Sequence, residues 1–297
     1  MLKQIADDIT DLKVQGATNI AFASLVALRH VINKSKKSSK SVLLRDLNKA
    51  RTLLFNTRPN EPMMYNAVNY VIDKLADFNG DLRSEGLRLV ERLEDEFDEA
   101  KKKLALVGKR LIKKNSVILT HCHSSNVTEI LKTAKPRIKS VFCTETRPKY
   151  QGRITAKELL SAGLKVRMTV DSAIANYVRK ADYCFIGCDV ISSTFLINKV
   201  GSRMISILCD KYDVPLYVCS LSYKFEPESL EGVGTDVELR SPKEVWDKAP
   251  RKLKILNPAF DVVDFEGVTG FVTELGVMPP DSFIKLMHDK KGKLFKS

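Results

Sequence analysis

Much that a chain of 297 residues can carry is missing here. There is no run of eighteen or more apolar residues, which argues against a membrane-spanning helix. The opening, Met1-Leu-Lys-Gln-Ile-Ala-Asp-Asp8, bears acids and no apolar secretory core, so no signal peptide is expected. No GxGxxG follows a strand pattern and there is no Walker loop, so nucleotide cofactors are not indicated. The six cysteines, Cys122, Cys143, Cys184, Cys188, Cys209 and Cys219, form no CxxC pair, and their spacing suits neither a zinc ribbon nor a disulfide scaffold. They lie in or beside apolar, strand-like segments and are read as reduced thiols of a cytoplasmic protein. His121 and His123 are two apart, so extended backbone turns them to opposite sides; without a third His or a paired Cys, no metal set is expected. No aromatic ribonucleoprotein motif, zinc finger or recognition helix occurs, so nucleic acid is not an expected partner.

What is present is ordinary in bulk and uneven along the chain. An apolar content of 44% and a charged content of 29% fit a globular protein long enough for two domains. The net charge of +13 suits a phosphorylated ligand, a polyanion or only a lysine-rich surface. Lysines are densest at Lys34 to Lys40 and Lys290 to Lys296, and these are read as solvated surface.

From Met1 to about Arg110 the apolar residues recur at helical spacing. Ile20, Ala23, Ala27 and Val31 make one face, and Leu43, Leu47, Leu53 and Leu54 continue the pattern. Val68, Val71, Ile72 and Leu75 make another, and Leu89, Leu93, Phe97 and Leu104 a further one. A helical domain over residues 1–112 is predicted. Two breaks in it stand out. Gln15-Gly16-Ala17-Thr18 opens a helix, where its N–H groups are placed either to cradle an oxyanion or to make a plain turn. At Thr57-Arg58-Pro59-Asn60, Pro59 and Pro62 force a non-helical approach to the helix at Met63, and an Arg fixed there suits a phosphate clamp.

From Ser116 short apolar strands alternate with helices. Strands are expected at 117–119, 140–143, 165–170, 183–186, 216–219 and 270–273, with helices at 155–162, 173–181 and 202–212. Gly163 fits a helix end and Asp171 an N-cap. This predicts a doubly wound, Rossmann-like parallel sheet domain over 113–297. Polar residues gather where each strand ends, which points to one crevice. The first such turn, Thr120-His-Cys-His-Ser-Ser125, sets a thiol between two imidazoles, a candidate for proton transfer facing Asp189. The alternative is a buried cysteine closing a core strand, and Cys184 and Cys188 are read as core.

Together these motifs resemble a known family. They are Thr-His-Cys-x-Ser-Ser at 120–125, Thr-Glu-Thr-Arg-Pro-x-x-Gln-Gly at 144–152, Gly-x-Asp at 187–189, Asn-Lys-x-Gly at 198–201 and Tyr-Lys-Phe at 223–225. The family unites methylthioribose-1-phosphate isomerase, archaeal ribose-1,5-bisphosphate isomerase and the α, β and δ regulatory subunits of the translation-initiation guanine-nucleotide exchange factor. Asn257-Pro-Ala-Phe-Asp261 and Tyr223-Lys-Phe-Glu-Pro-Glu228 look closest to the bisphosphate branch. Two positions depart from the isomerase pattern: Gln15 stands where Arg is frequent, and His123 where Asn is frequent.

The resemblance implies an aldose–ketose isomerase converting ribose 1,5-bisphosphate to ribulose 1,5-bisphosphate in nucleoside and AMP degradation, without a cofactor. It implies Cys122 as a thiolate base at C2 and Asp189, kept protonated by desolvation, as the acid. Gln15, Gly16, Ala17, Thr18, Arg58, His123, Ser124, Ser125, Asn198, Lys199 and Lys224 would hold phosphates and hydroxyls. A homodimer or larger homo-oligomer is implied as well. The family also offers two alternatives, a non-catalytic initiation-factor subunit and a methylthioribose-1-phosphate isomerase.

Overall fold

Apolar periodicity in the first hundred residues becomes five helices in the computed structural model, which describes residues 1–35, 39–58, 60–232, 237, 239–290 and 294–295. They are α1 (Leu2–Thr10), α2 (Ala17–Lys34), α3 (Lys40–Phe55), α4 (Pro62–Asp77) and α5 (Leu82–Leu111). Leu89, Leu93, Phe97 and Leu104 of α5 are all buried, as are Val68, Val71, Ile72 and Leu75 of α4. On α2 the buried stripe is wider than the spacing suggested: Ile20, Leu25, Ala27, Leu28 and Ile32 are covered, whereas Ala23 and Val31 are half-buried. Leu53, expected inward, is 38% exposed, because Leu47, Ala50 and Leu54 already fill the inner face of α3. Pro62 occupies the first turn of α4, where no intrahelical donor is lost. Pro59, and half of the residues in the two lysine-dense stretches, lie outside the described residues.

Beyond α5 come β1 (Ser116–His121), α6 (Ser125–Thr133), β2 (Ile138–Thr144), α7 (Gln151–Ser161), β3 (Val166–Thr169), α8 (Ala175–Val178) and β4 (Tyr183–Ile186). They are followed by β5 (Val190–Ile191), β6 (Phe195–Lys199), α9 (Ser202–Lys211), β7 (Leu216–Cys219), β8 (Phe260–Asp264), β9 (Gly270–Thr273), β10 (Gly276–Met278) and α10 (Pro280–Asp289). One sheet of seven strands runs in the order β3-β2-β1-β4-β7-β9-β10, parallel except for β10. All four residues of the central strand β4 are buried, the pattern of a strand covered on both faces. Gly163, at φ +78°, follows the end of α7, and its N–H donates to the carbonyl of Leu160.

A second sheet, β5-β6-β8, is antiparallel and packs Val190, Ile197, Ala259 and Phe260 together. The helix expected at 173–181 shrinks to the single turn α8 after a 3₁₀ turn at Asp171–Ala173. By contact the chain divides into two units, Met1–Ala100 with Lys293–Ser297, and Lys101–Gly292. The division falls inside α5, whereas the boundary expected at residue 112 lies one residue past the end of that helix. Among the described residues no helix is long and apolar enough to cross a membrane.

Candidate active site

The order of the large sheet decides where a ligand fits. From β1 the chain lays down β2 and β3 on one side, then returns to place β4 on the other side of β1. Connections leave β1 and β4 in opposite directions, so a crevice opens between their carboxyl ends. His121 is level with Ile186 in the register, so the two strands end side by side. Cys122 is the next residue on one lip, and Gly187-Cys188-Asp189 follows on the other.

Cys122 stands at φ +64°, in the left-handed region, which costs a non-glycine residue on the order of 1–2 kcal/mol. Its N–H donates to Thr146 Oγ1 (3.0 Å), and its carbonyl accepts from Thr155 Oγ1 (2.8 Å). Thr146 is fully buried and also left-handed, at φ +61°. Its N–H donates to Asp171 Oδ1 (2.8 Å), and the N–H of Arg147 donates to Oδ2 (2.7 Å). Asp171 was expected to cap its own helix. Instead its carboxylate crosses to two successive amides of the β2–α7 loop, which β2–β3 pairing brings alongside.

The thiol of Cys122 is half-buried, and its pKa is pushed up to about 11, chiefly by loss of water around the sulfur. The Lys199 ammonium and the His123 backbone N–H pull it down, while the carboxylates of Asp189 and Asp171 push it up. Near neutral pH the sulfur therefore keeps its proton. This corrects the expectation of a resting thiolate, because the burial that shapes the turn outweighs the positive charge beside it.

Both imidazoles have partners within the fold. The buried ring of His121 engages Thr144 Oγ1 (2.5 Å) and the Val200 carbonyl (2.8 Å), and burial lowers its pKa. The ring of His123 engages Thr155 Oγ1 (3.1 Å) and approaches Glu158 Oε2 (3.9 Å); burial lowers its pKa too. Two glycines make this close packing feasible. A Cβ on Gly201, at φ +104°, would lie 2.9 Å from the His121 ring, and one on Gly187 would lie 2.7 Å from Ser124 Cβ.

Ser124 is the N-cap of α6, with its hydroxyl accepting from Val127 N (3.5 Å), and Ser125 is the first residue of the helix. Their turn presents first-turn N–H groups beside Cys122, an arrangement suited to a phosphate. Asn198 is buried and donates to Ser202 Oγ (2.8 Å). Lys199 lies 4.7 Å over the Phe260 ring. The N-terminus of α9 is already capped, since Asp261 Oδ2 accepts from the N–H of Gly201 (2.8 Å) and of Arg203 (3.0 Å). Lys224 is buried after β7, and its Nζ donates to the Cys188 carbonyl (2.5 Å), next to Asp189. Asp189 is half-buried, and its N–H is tied to the Ile197 carbonyl (2.9 Å).

The remaining expected ligands belong to the first unit. Gln15 is exposed, and its amide donates to the Leu12 carbonyl (2.6 Å). Gly16, at φ +84°, caps α2, which Ala17 and Thr18 begin as buried residues. The Arg58 guanidinium lies 3.8 Å from Glu61 Oε1, so part of its charge is already balanced.

Sequence reasoning missed Thr146, Thr155, Asp171 as an anchor, and Glu274. Glu274, at the end of β9, accepts from Ser222 N (3.0 Å) and from Ser222 Oγ, and so holds the turn that carries Lys224. The available signal was that Thr146, Asp171 and Glu274 follow strand ends; Thr155 lies inside α7, where the sequence offers none. Among the described residues no group of three His, Cys, Asp or Glu side chains is gathered as metal ligands would be.

A thiol and a carboxylate on the two lips of a switch point define a doubly wound α/β protein with a candidate acid–base site at its carboxyl edge. The chain belongs to the initiation factor 2 subunit family, whose model matches residues 13–280. It is 34% identical to the ribose 1,5-bisphosphate isomerase of Pyrococcus furiosus, over 99% of this chain and 95% of the relative. Among solved structures it resembles a translation initiation factor eIF-2B of Pyrococcus horikoshii, with a TM-score of 0.83 and 26% identity over 95% of this chain and 98% of that one. It also resembles the 5-methylthioribose 1-phosphate isomerase of the same organism, with a TM-score of 0.81 and 25% identity over 97% and 88% of the two chains.

Proposed function

We propose that this chain is an aldose–ketose isomerase that converts ribose 1,5-bisphosphate to ribulose 1,5-bisphosphate. The observation that supports the reading is that Cys122 and Asp189 follow the ends of the paired strands β1 and β4, where the charges of Asp189 and Lys199 act on the thiol and Lys224 bonds the carbonyl next to Asp189. Similarity to named ribose 1,5-bisphosphate isomerases along nearly the whole chain supports the substrate. The reaction breaks the C1–O4 bond with a proton going to O4, removes the proton at C2 to give a C1=C2 enol phosphate, and delivers a proton to C1 as the 2-hydroxyl gives up its own to leave the C2 ketone. We read the pair as holding one proton between them. It rests on sulfur; passing it to Asp189 creates the thiolate that takes the C2 proton and the carboxylic acid that supplies C1. Asn198, His123, Ser124 and Ser125, with the two lysines, are proposed to hold phosphate and hydroxyl groups, and Gln15, Gly16, Ala17, Thr18 and Arg58 of the first unit are proposed as phosphate ligands. Residues 1–112 and 113–297 are its proposed domains.

A homo-oligomer belongs to the same reading. Leu239, Trp246, Leu253 and Leu256 are all at least half exposed within one stretch, apolar surface that a second copy would cover.

The test is a substrate panel. The kcat/KM for ribose 1,5-bisphosphate is expected to exceed that for methylthioribose 1-phosphate at least about tenfold, since the second phosphate adds charge-assisted hydrogen bonds. The reverse preference would assign the chain to the methylthioribose branch. Tight binding without turnover of any sugar phosphate would favour the initiation-factor branch.

A further inference from the structure

Cys122 adopts a backbone conformation that its own side chain disfavours, so something else must hold it there. Two threonine hydroxyls do so, one on each side of the residue. Thr146 Oγ1 takes the N–H of Cys122 at 3.0 Å, and Thr155 Oγ1 gives its proton to the carbonyl at 2.8 Å. Because the Thr155 hydroxyl is the donor there, it can only accept from His123, which fixes that imidazole as the donor through Nδ1–H.

Both threonines are themselves anchored. Thr146 lies 3.3 Å from Thr144 Oγ1, at the end of β2, and its own left-handed backbone is held by Asp171. A β-branched residue at positive φ is a rare outlier, retained where the surroundings over-determine it. Thr155 is buried on the second turn of α7, where its branched side chain has few rotamers open to it. The clamp thus ties the turn after β1 to two neighbouring elements, one on each side of the cysteine.

We propose that Thr146 and Thr155 are positioning residues for Cys122. Their hydroxyls lock its two peptide units left-handed, and this sets the thiol under the His123 N–H and within the fields of Lys199 and Asp189. The catalytic consequence rests on the isomerase reading; the geometric one does not. Released from the clamp, Cys122 relaxes to ordinary backbone and its sulfur moves out of its desolvated setting. Valine keeps the shape of threonine and removes the hydroxyl, while serine keeps the hydroxyl, so the pair of substitutions separates bonding from packing.

The experiment follows alkylation of Cys122 by iodoacetamide against pH, read by mass spectrometry of its peptide without substrate. The other five cysteines are buried, so the reaction reports this thiol. Thr146→Val and Thr155→Val are each expected to raise the rate at pH 8 about tenfold, as the titration moves down by one unit. Thr146→Ser and Thr155→Ser stay within about twofold of wild type. With the bisphosphate, the valine variants lose kcat about tenfold or more at nearly constant KM, and the serine variants recover it. A valine variant that fails to fold by circular dichroism is replaced by alanine, which removes the same hydroxyl with less crowding. Folded variants that lack the hydroxyl and alkylate like wild type at every pH would overturn the proposal, and so would serine variants that behave like them. If wild type never turns over yet the alkylation shift appears, the clamp stands and the isomerase reading fails.

Discussion

Cys122→Ser and Asp189→Asn are each expected to lower kcat by about two to four orders of magnitude, the range for removal of a positioned acid or base. Both changes are nearly isosteric, so the crevice keeps its shape. A serine hydroxyl cannot become an anionic base near neutral pH, and an asparagine amide can neither receive the sulfur's proton nor return one to C1. KM is expected to change little, because the proposed phosphate ligands, among them the buried ammonium of Lys224, are other groups. Since the two residues act on one proton, the double variant is little slower than the worse single variant. Losses that simply multiply in the double variant would show that Cys122 and Asp189 do not work as a unit.

The pH profile separates a shared proton from a thiol that ionises to solvent. Burial holds the Cys122 thiol at about 11, so at pH 7 only a minute fraction is thiolate. If Asp189 takes the proton internally, the wild-type rate does not depend on that fraction. It stays level from neutrality upward and falls only as the pair's last proton leaves, near pH 11. Asp189→Asn breaks this route, and solvent must then ionise the sulfur. Residual kcat should climb about tenfold per pH unit between pH 7 and 9, in proportion to the thiolate. Asparagine also removes one of the negative charges that raise the thiol, so the climb levels off at or below about 11. A wild-type profile rising with the same slope would remove the internal transfer.

Much of the α/β unit could be read from the chain because its central strands are continuous apolar runs. Tyr183–Ile186, Leu216–Cys219 and Gly270–Thr273 were placed at their observed bounds for that reason. The small sheet is not legible in the sequence. β5 has only two residues, and β6 ends in Asn198-Lys199, which reads as a polar loop; pairing with the distant β8 makes it a strand. The same limit applies at the site. Cys122 and Asp189 lie beside recognisable strand ends, whereas Thr146, Thr155 and Asp171 gain their partners only through the pairing of β1, β2 and β3. The protonation of the thiol is not legible in the chain, because sequence shows the neighbouring cations and imidazoles but not the loss of water.

The central claim is that Cys122 and Asp189 move a proton within a bound pentose bisphosphate. Ribose 1,5-bisphosphate incubated with the protein in D₂O, followed by proton and carbon NMR, tests it directly. The expected product is ribulose 1,5-bisphosphate carrying deuterium at C1, because the proton taken from C2 passes through groups that exchange with solvent. Ketose formed without deuterium would contradict the proton-transfer account, and bisphosphate that binds and stays an aldose would contradict the isomerase itself.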